Sequence, residues 1–503
     1  MTIELSNLTF TEQDDIVPAS GVDEIVNTGV ANTLAGNDTI TSTATKFKLS
    51  PSIIDLLGTG FYNTGTLNTA DGNDIITGIH SPNESDPYPD NPLGYRNVRS
   101  YGIFNDRGII NTGYGNDVIT GISQAKEINP SSTFYAFGIN SEYSSINTSN
   151  GNDTIRGTGA DIGIYSSYST LDTGKDNDII TGTGYIAGII NLYSTIDTGE
   201  GSDIITGIAT NSVGIYNSGP IYTGDGNDII TATASLGYGI ENYSTIDTGN
   251  GNDIITVIGD PYGIYNPGTI DTGDGNDIIT TTGNIYGIYT LGTIDTGNGE
   301  DSIISNGKFT NIGRVFLGEG SDSIAADTGF SNRALENFGF MGTGDGNDLI
   351  TSAGVIYNEG VIETGNGDDS IIVDGGIEDI TGTRYGIYNN GGVINMGDGN
   401  DSIIANEGFQ AGPNSSGAWF LGNGDDYIKG FGSGDFYGGN DEDTLELTSG
   451  SYTVGIWGEG WDTSVIFTKG NKIMITSEFE QLIAGSTTYN FSSLTNGQTI
   501  FVA

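Results

Sequence analysis

A nine-residue unit, T-G-x-G-N-D-x-I-x, recurs fifteen times along this chain, with aspartate sixth and isoleucine eighth in every copy. The sixth positions are Asp38, Asp74, Asp117, Asp153, Asp178, Asp203, Asp228, Asp253, Asp277, Asp301, Asp322, Asp348, Asp369, Asp401 and Asp426. Successive copies lie 25 residues apart from Asp153 to Asp253 and 24 apart from Asp253 to Asp301, with gaps of 21 to 43 elsewhere. Two further segments recur between the units. One is Gly-Ile-Tyr-Asn, at Gly214–Asn217, Gly263–Asn266 and Gly386–Asn389; the other is Ile-Asp, at Ile196, Ile246, Ile270 and Ile294. Each period thus carries three short Ile-centred strands joined by Gly, Asn and Thr turns, too short and too punctuated for helices. A period of this length with an inward Ile per strand predicts an all-β parallel solenoid of three strands per coil of about 25 residues, because one coil cannot bury its apolar column alone and a stack can.

The same stacking sets a charge problem. Sixth-position carboxylates would form a column at strand spacing, about 4.8 Å. Two unit charges at that distance repel by about 1 kcal/mol in water and about 3–4 kcal/mol at an effective dielectric of 20. A divalent cation between successive turns would reverse the sign, and carboxylate with main-chain carbonyl oxygens suits Ca²⁺ better than Zn²⁺ or Cu²⁺. Glycines at positions two and four permit positive φ and would let the turn point its carbonyls inward. Asp176, at position four of one copy, puts that site in doubt. The competing reading is an Asn/Asp turn ladder without metal, since both residues form turns well.

Composition agrees with cations as partners. The chain has 64 acidic and 15 basic residues, a net charge of -49 and no cysteine. Nucleic acids and anionic membranes need clustered Lys and Arg, and thiolate metal sites and disulfides are excluded. No run of about 18 apolar residues occurs, so no transmembrane helix is expected. The opening Met1-Thr2-Ile3-Glu4-Leu5 has no basic or apolar signal region, so export would need a route without an N-terminal signal.

The unit T-G-D-G-N-D-I-I-T resembles the RTX, or haemolysin-type, calcium-binding nonapeptide G-G-x-G-x-D-x-U-x. The closest copies are late, Leu421–Lys429 and Gly438–Glu446, where Asp426, Asp435 and Asp443 follow one another at the tight spacing of a β-roll. The resemblance implies that position six supplies a carboxylate and the turn supplies carbonyls to Ca²⁺. The upstream repeats depart from the family in carrying one unit per coil and Thr at position one, so one calcium column is expected there. The organisation read from the sequence is an N-terminal cap over 1–30, a calcium-binding solenoid over 31–420, RTX β-roll repeats over 421–446, and a β-rich C-terminal cap over 447–503. Insertions are expected at 43–60, 79–100, 121–136, 327–341 and 405–418. The tail also resembles the region after RTX repeats that a type I secretion machine reads, which implies an extracellular or cell-surface destination. The chain would then stay unfolded in a low-calcium cytosol and fold outside by linkage.

The expected role is a structural or adhesive component of a cell surface or matrix, with cell-surface polysaccharide or self-association as partners. The repeats begin by residue 33, so no toxin domain is expected ahead of them. The alternative is a polysaccharide-active enzyme on the same scaffold, and for it the side chains outside the column are unpromising. The single histidine, His80, is expected as an exposed residue of a Pro-rich loop. Arg96, Arg99 and Arg107 form a loose basic group beside it. Tyr165, Tyr216, Tyr265, Tyr289 and Tyr388 follow inward Ile residues, which places them outward, in a ladder that stacks on itself. Ice binding through Thr columns is disfavoured because the unit's third position varies.

Overall fold

Each nonapeptide ends where a strand begins. In the computed structural model, which describes residues 2–17, 24–49, 55–82, 97–125, 133–329, 332–378, 384–412, 417–458 and 463–503, Ile-Ile-Thr at positions seven to nine opens a strand that alternates outward and inward. Ile204–Ala209 is typical: Ile205, Gly207 and Ala209 are buried, while Ile204, Thr206 and Ile208 face outward. β-branched residues suit such a half-buried pleated surface.

The chain divides into two compact units, Met1–Ile270 and Asp271–Ala503. In the first, the three strands of a coil pair in parallel with their copies in the next. Ile204–Ala209 lies on Ile229–Ala234, Val213 and Ile215 on Tyr238 and Ile240, and Ile221 on Ile246. The register equals the sequence period, so like residues stack. Ile205, Ile215 and Ile221 are fully buried and belong to three apolar columns, one per strand. The coil is narrow where its first two strands meet. A Cβ on Gly207 would stand 2.4 Å from the Gly214 carbonyl oxygen, so neither chain leaves room for a side chain there.

A fourth column is polar. Asn191 Nδ2 donates to Asn217 Oδ1 at 2.8 Å, and Asn217 Nδ2 donates to Asn242 Oδ1 at 2.8 Å. The second amide hydrogens go to third-strand carbonyls, Pro220 at 3.2 Å and Thr245 at 3.0 Å. The ladder holds the corner after the second strand.

The second unit keeps this plan with shorter coils. Asp301 to Asp322 and Asp348 to Asp369 are 21 residues apart, and Asp426 is followed in the stack by Asp443, 17 residues on. Several stretches expected as insertions are rungs with divergent sequence. Phe309–Asn311 pairs with Leu335–Asn337, Arg314–Phe316 with Phe340–Gly342, and Ile387–Asn389 with Phe409–Ala411. Within 79–100, Ile79 and His80 end one strand and Asn97–Ser100 begin another; 83–96 lie outside the described residues.

Both expected caps contain rungs. Ile16–Val17 pairs in parallel with Thr39–Ile40. The repeat was expected to stop near residue 447, but Met474–Ser477 stacks on Gly434–Tyr437 and Gln481–Ala484 on Thr444–Leu447. Antiparallel strands Gly450–Trp457, Ser464–Lys469 and Thr499–Val502 then close this end.

Candidate functional site

The turn T-G-x-G-N-D is built by contacts between coils. The position-one threonine, buried, donates its hydroxyl to the carbonyl of its copy: Thr173 Oγ1 reaches the Thr198 oxygen at 3.4 Å and Thr223 reaches Thr248 at 3.2 Å. This is the chemical reason for Thr at position one. Position four is glycine because of close approach as well as conformation. Gly251 has φ of +145°, and a Cβ there would stand 1.3 Å from the Gly226 carbonyl oxygen. Those carbonyls therefore point along the stack at the next glycine, rather than simply inward as expected. Asp176 takes the position-four place with φ of +82° and keeps its amide bond to the Glu200 carbonyl at 2.8 Å. Asp178 stays in the column, so the substitution leaves the site's carboxylate in place.

Two ladders of opposite sense cross this turn. At position five a side chain accepts the amide of the following coil: Asn177 N–H donates to Asn152 Oδ1 at 2.9 Å and Ser202 N–H to Asn177 Oδ1 at 2.7 Å. Position five thus contributes a side-chain acceptor, which Ser, Asn and Asp can all supply. At position six the carboxylate accepts the amide of the preceding coil: Asp178 N–H donates to Asp203 Oδ1, and Asp203 N–H to Asp228 Oδ1, both at 2.7 Å. The ladder runs through Asp38, Asp74, Asp117, Asp153, Asp178, Asp203, Asp228 and Asp253 in the first unit. In the second it runs through Asp277, Asp301, Asp322, Asp348, Asp369, Asp401, Asp426 and Asp443.

The carboxylates are buried, at most 2% exposed. Oδ1 is used by the ladder. Oδ2 of Asp38, Asp74, Asp117, Asp153, Asp178, Asp203 and Asp228, and of Asp301, Asp322, Asp348, Asp369, Asp401, Asp426 and Asp443, is buried without a hydrogen-bond partner. Burial pushes these acids up. Asp74, Asp153, Asp228, Asp322, Asp426 and Asp443 rise to about 7, and Asp178 and Asp401 to about 8. Like charges in neighbouring coils add to the rise at Asp178, while the amide donated by Asp153 opposes it. An isolated buried carboxylate is costly, so each coil calls for a positive charge, either a proton or a share of a cation.

Calcium fits this donor set in charge and in type: one anionic hard oxygen per coil beside main-chain oxygens. Among the described residues no three His, Asp or Glu side chains gather into a metal cluster, so the remaining ligands would be backbone carbonyls. The position-three carbonyls already accept one amide, as Asp225 does from Gly201 at 3.0 Å, but a carbonyl keeps a second lone pair.

One predicted ligand lies elsewhere. Asp435 pairs with Ala418 in the third strand of its coil, because the 17-residue step from Asp426 to Asp443 leaves no turn between them. Two ladder members were missed. Asp15 N–H donates to Asp38 Oδ1 at 2.8 Å, with Asp14 Oδ1 accepting Asn37 N–H at 2.8 Å. At the other end Asp443 N–H donates to Glu480 Oε2 at 2.9 Å. Both copies keep an acid sixth and an aliphatic eighth (Val17, Leu482) but have lost the glycines, so a search without the glycines would have found them.

His80 is a correction. It is fully buried at the end of Ile75–His80, not exposed in a loop. Its Nδ1 lies 2.6 Å from Ser100 Oγ, which lies 2.6 Å from Ser123 Oγ, and burial pushes the imidazole down to about 4. The alternation of Ile75–His80 turns its last side chain inward, against Gly58 and Phe47. Arg107 pairs with Asp106 at 3.6 Å and sits over Tyr143; Arg96 lies outside the described residues. The outward tyrosines are half-buried, each on another aromatic ring: Tyr165 on Phe137, Tyr216 on Tyr243, Tyr265 on Tyr238, Tyr289 on Tyr286 and Tyr388 on Tyr357.

Neither a family model nor a curated protein matches this chain. No helix among the described residues is long and apolar enough to cross a membrane.

Proposed function

We propose that this is a secreted calcium-binding β-solenoid of the RTX type, which folds on Ca²⁺ outside the cell and serves as a structural or adhesive surface or matrix component. The observation that carries the reading is the column of buried aspartates, in which Asp178, Asp203 and Asp228, among others, have one oxygen satisfied by an amide and the other without a partner. The position-six aspartates, including Asp443, would hold the ion through Oδ2, with turn carbonyls completing its shell. Bound calcium supplies the positive charge that offsets repulsion along the column. Asp435 is no longer among the proposed ligands. In a calcium-poor cytosol the uncompensated column would favour the unfolded chain, which suits passage through a type I secretion channel. Millimolar calcium outside would bind only the folded form and pull folding forward.

The amide–carboxylate ladder itself favours a second reading, in which protons rather than calcium neutralise the column and the aspartates serve as turn acceptors. Circular dichroism separates the two. After EGTA treatment, a cooperative transition from coil to β on CaCl₂ titration, absent with MgCl₂, is expected. Full β structure in EGTA at pH 8, unchanged by calcium, would leave only the turn-ladder role. As for the enzyme alternative, burial of His80 removes the one histidine as a surface acid or base.

A further inference from the structure

In the first unit, the outward side of the first-strand sheet carries no acidic side chain. Eight strands, from Thr39–Ala44 to Ile254–Gly259, stack in parallel without a register shift. Each six-residue strand presents three outward side chains. Of these 24 positions, 13 are Thr, nine are Ile, one is Val and one is Arg156. None is acidic, although 64 of the 503 residues are. Outward third-strand positions in the same coils do carry acid, as at Asp172, Asp197 and Asp247. Isoleucines stand out from this acid-free sheet: Ile208 is 41% and Ile258 47% exposed.

We infer that this face is a docking surface for a second copy of the same chain, packed sheet against sheet. The area supports it. A six-residue strand spans about 20 Å and eight rows at about 4.8 Å span about 38 Å, so the face offers on the order of 750 Å², close to the roughly 800 Å² per partner of a stable interface. Charge selects the partner. A net charge of -49 sets two copies against each other, and a face without acidic side chains, carrying only Arg156 as a charge, is where their close approach costs least. Stable interfaces are likewise depleted of charge at their centre. A basic protein would prefer the acidic sides, and the face has no aromatic ring on which a sugar could stack.

The relief is also self-complementary, as a two-fold interface requires. In the Ile204 and Ile254 rows two isoleucines flank a central threonine, Thr206 or Thr256, so a ridge of one copy fits the trough of the other. These β-branched side chains are already stiff and lose little freedom on packing. The inference needs only the folded sheet and does not rest on calcium.

Sedimentation equilibrium of the full chain with CaCl₂ present tests it. A dimer is expected, and Thr206→Lys with Thr231→Lys should weaken it at least about 100-fold, whereas Thr195→Lys with Thr245→Lys on the third strands should not. Circular dichroism checks that the variants fold. The absence of cysteine allows a second test that does not depend on added charge. Thr231→Cys should be shielded from alkylation at concentrations where the dimer forms and Thr245→Cys should not. A wild-type monomer, or a dimer indifferent to the first pair, overturns the inference. A monomer whose introduced thiol is shielded from alkylation only by added polysaccharide would overturn it too and assign the face to that ligand.

Discussion

The amide of Asp203 donates to Oδ1 of Asp228 at 2.7 Å, and Oδ2 of the same Asp228 is buried with no partner. Half of the Asp228 carboxylate is therefore structural, and the other half is the oxygen proposed to meet a cation. Asp228→Asn keeps an oxygen for the Asp203 amide and removes the charge. In EDTA at pH 8 it should raise stability by at least about 1 kcal/mol, because it takes a buried, unpaired charge out of the column. With CaCl₂ it should gain less from calcium than wild type. Thermal melts in both buffers measure this, and an equal gain would exclude Asp228 as a ligand.

The raised acids make the calcium-free protein sensitive to base. Their folded-state values of about 7 to 8 lie above the roughly 3.9 of an unfolded aspartate. The folded state thus binds more protons. The stability they contribute is complete below about pH 4 and lost as pH rises through 7 to 8. Urea midpoints in EDTA should be higher at pH 5 than at pH 9. Saturating calcium should flatten this slope, because the ion displaces the protons.

His80 offers a clean probe because it is the only histidine. Burial holds its imidazole down at about 4, so the neutral form is kept in the fold. Its contribution to stability is present above about 6.5 and lost as pH falls through about 4. The single imidazole resonance in an NMR titration should stay unshifted between pH 8 and pH 5. A midpoint near 6.5 would place the ring in solvent.

The glycines of the turn should differ sharply from those in the closing strands. Gly251→Ala drives a Cβ to 1.3 Å from the Gly226 carbonyl oxygen at a φ of +145°, whereas Gly455→Ala meets only Ile466 Cβ at 3.5 Å. The first should cost more than about 4 kcal/mol and the second less than about 1 kcal/mol, read from denaturant unfolding.

Asn217 links three coils: it accepts from Asn191 at 2.8 Å and donates to Asn242 at 2.8 Å. Asn217→Ala strands a buried donor and a buried acceptor, so a loss of about 2–4 kcal/mol is expected. A change below about 1 kcal/mol, again from denaturant unfolding, would mean that the asparagine column adds little to stability.

The period, the three strands and the inward isoleucines were legible because stacking makes the pairing register equal to the spacing of the repeat. Asp203 could be placed over Asp228 from their separation of 25 alone. Rungs such as Arg333–Asn337 and Gln481–Ala484 were hidden because their sequences lost the glycines while their backbones kept the register. Asp435 was misassigned for the reverse reason: the spacing looked right, but a shortened coil put it on a strand.

The sequence by itself determined the solenoid, its coil length and the column of like charges, since these follow from repetition and from the period of two in a strand. Only the tertiary structure decided how each charge is held. Whether Oδ1 meets an amide, Oδ2 meets nothing and His80 turns inward depends on distances between residues tens of positions apart. Those distances are fixed when neighbouring coils pack together, and burial then sets the cost of every charge left between them.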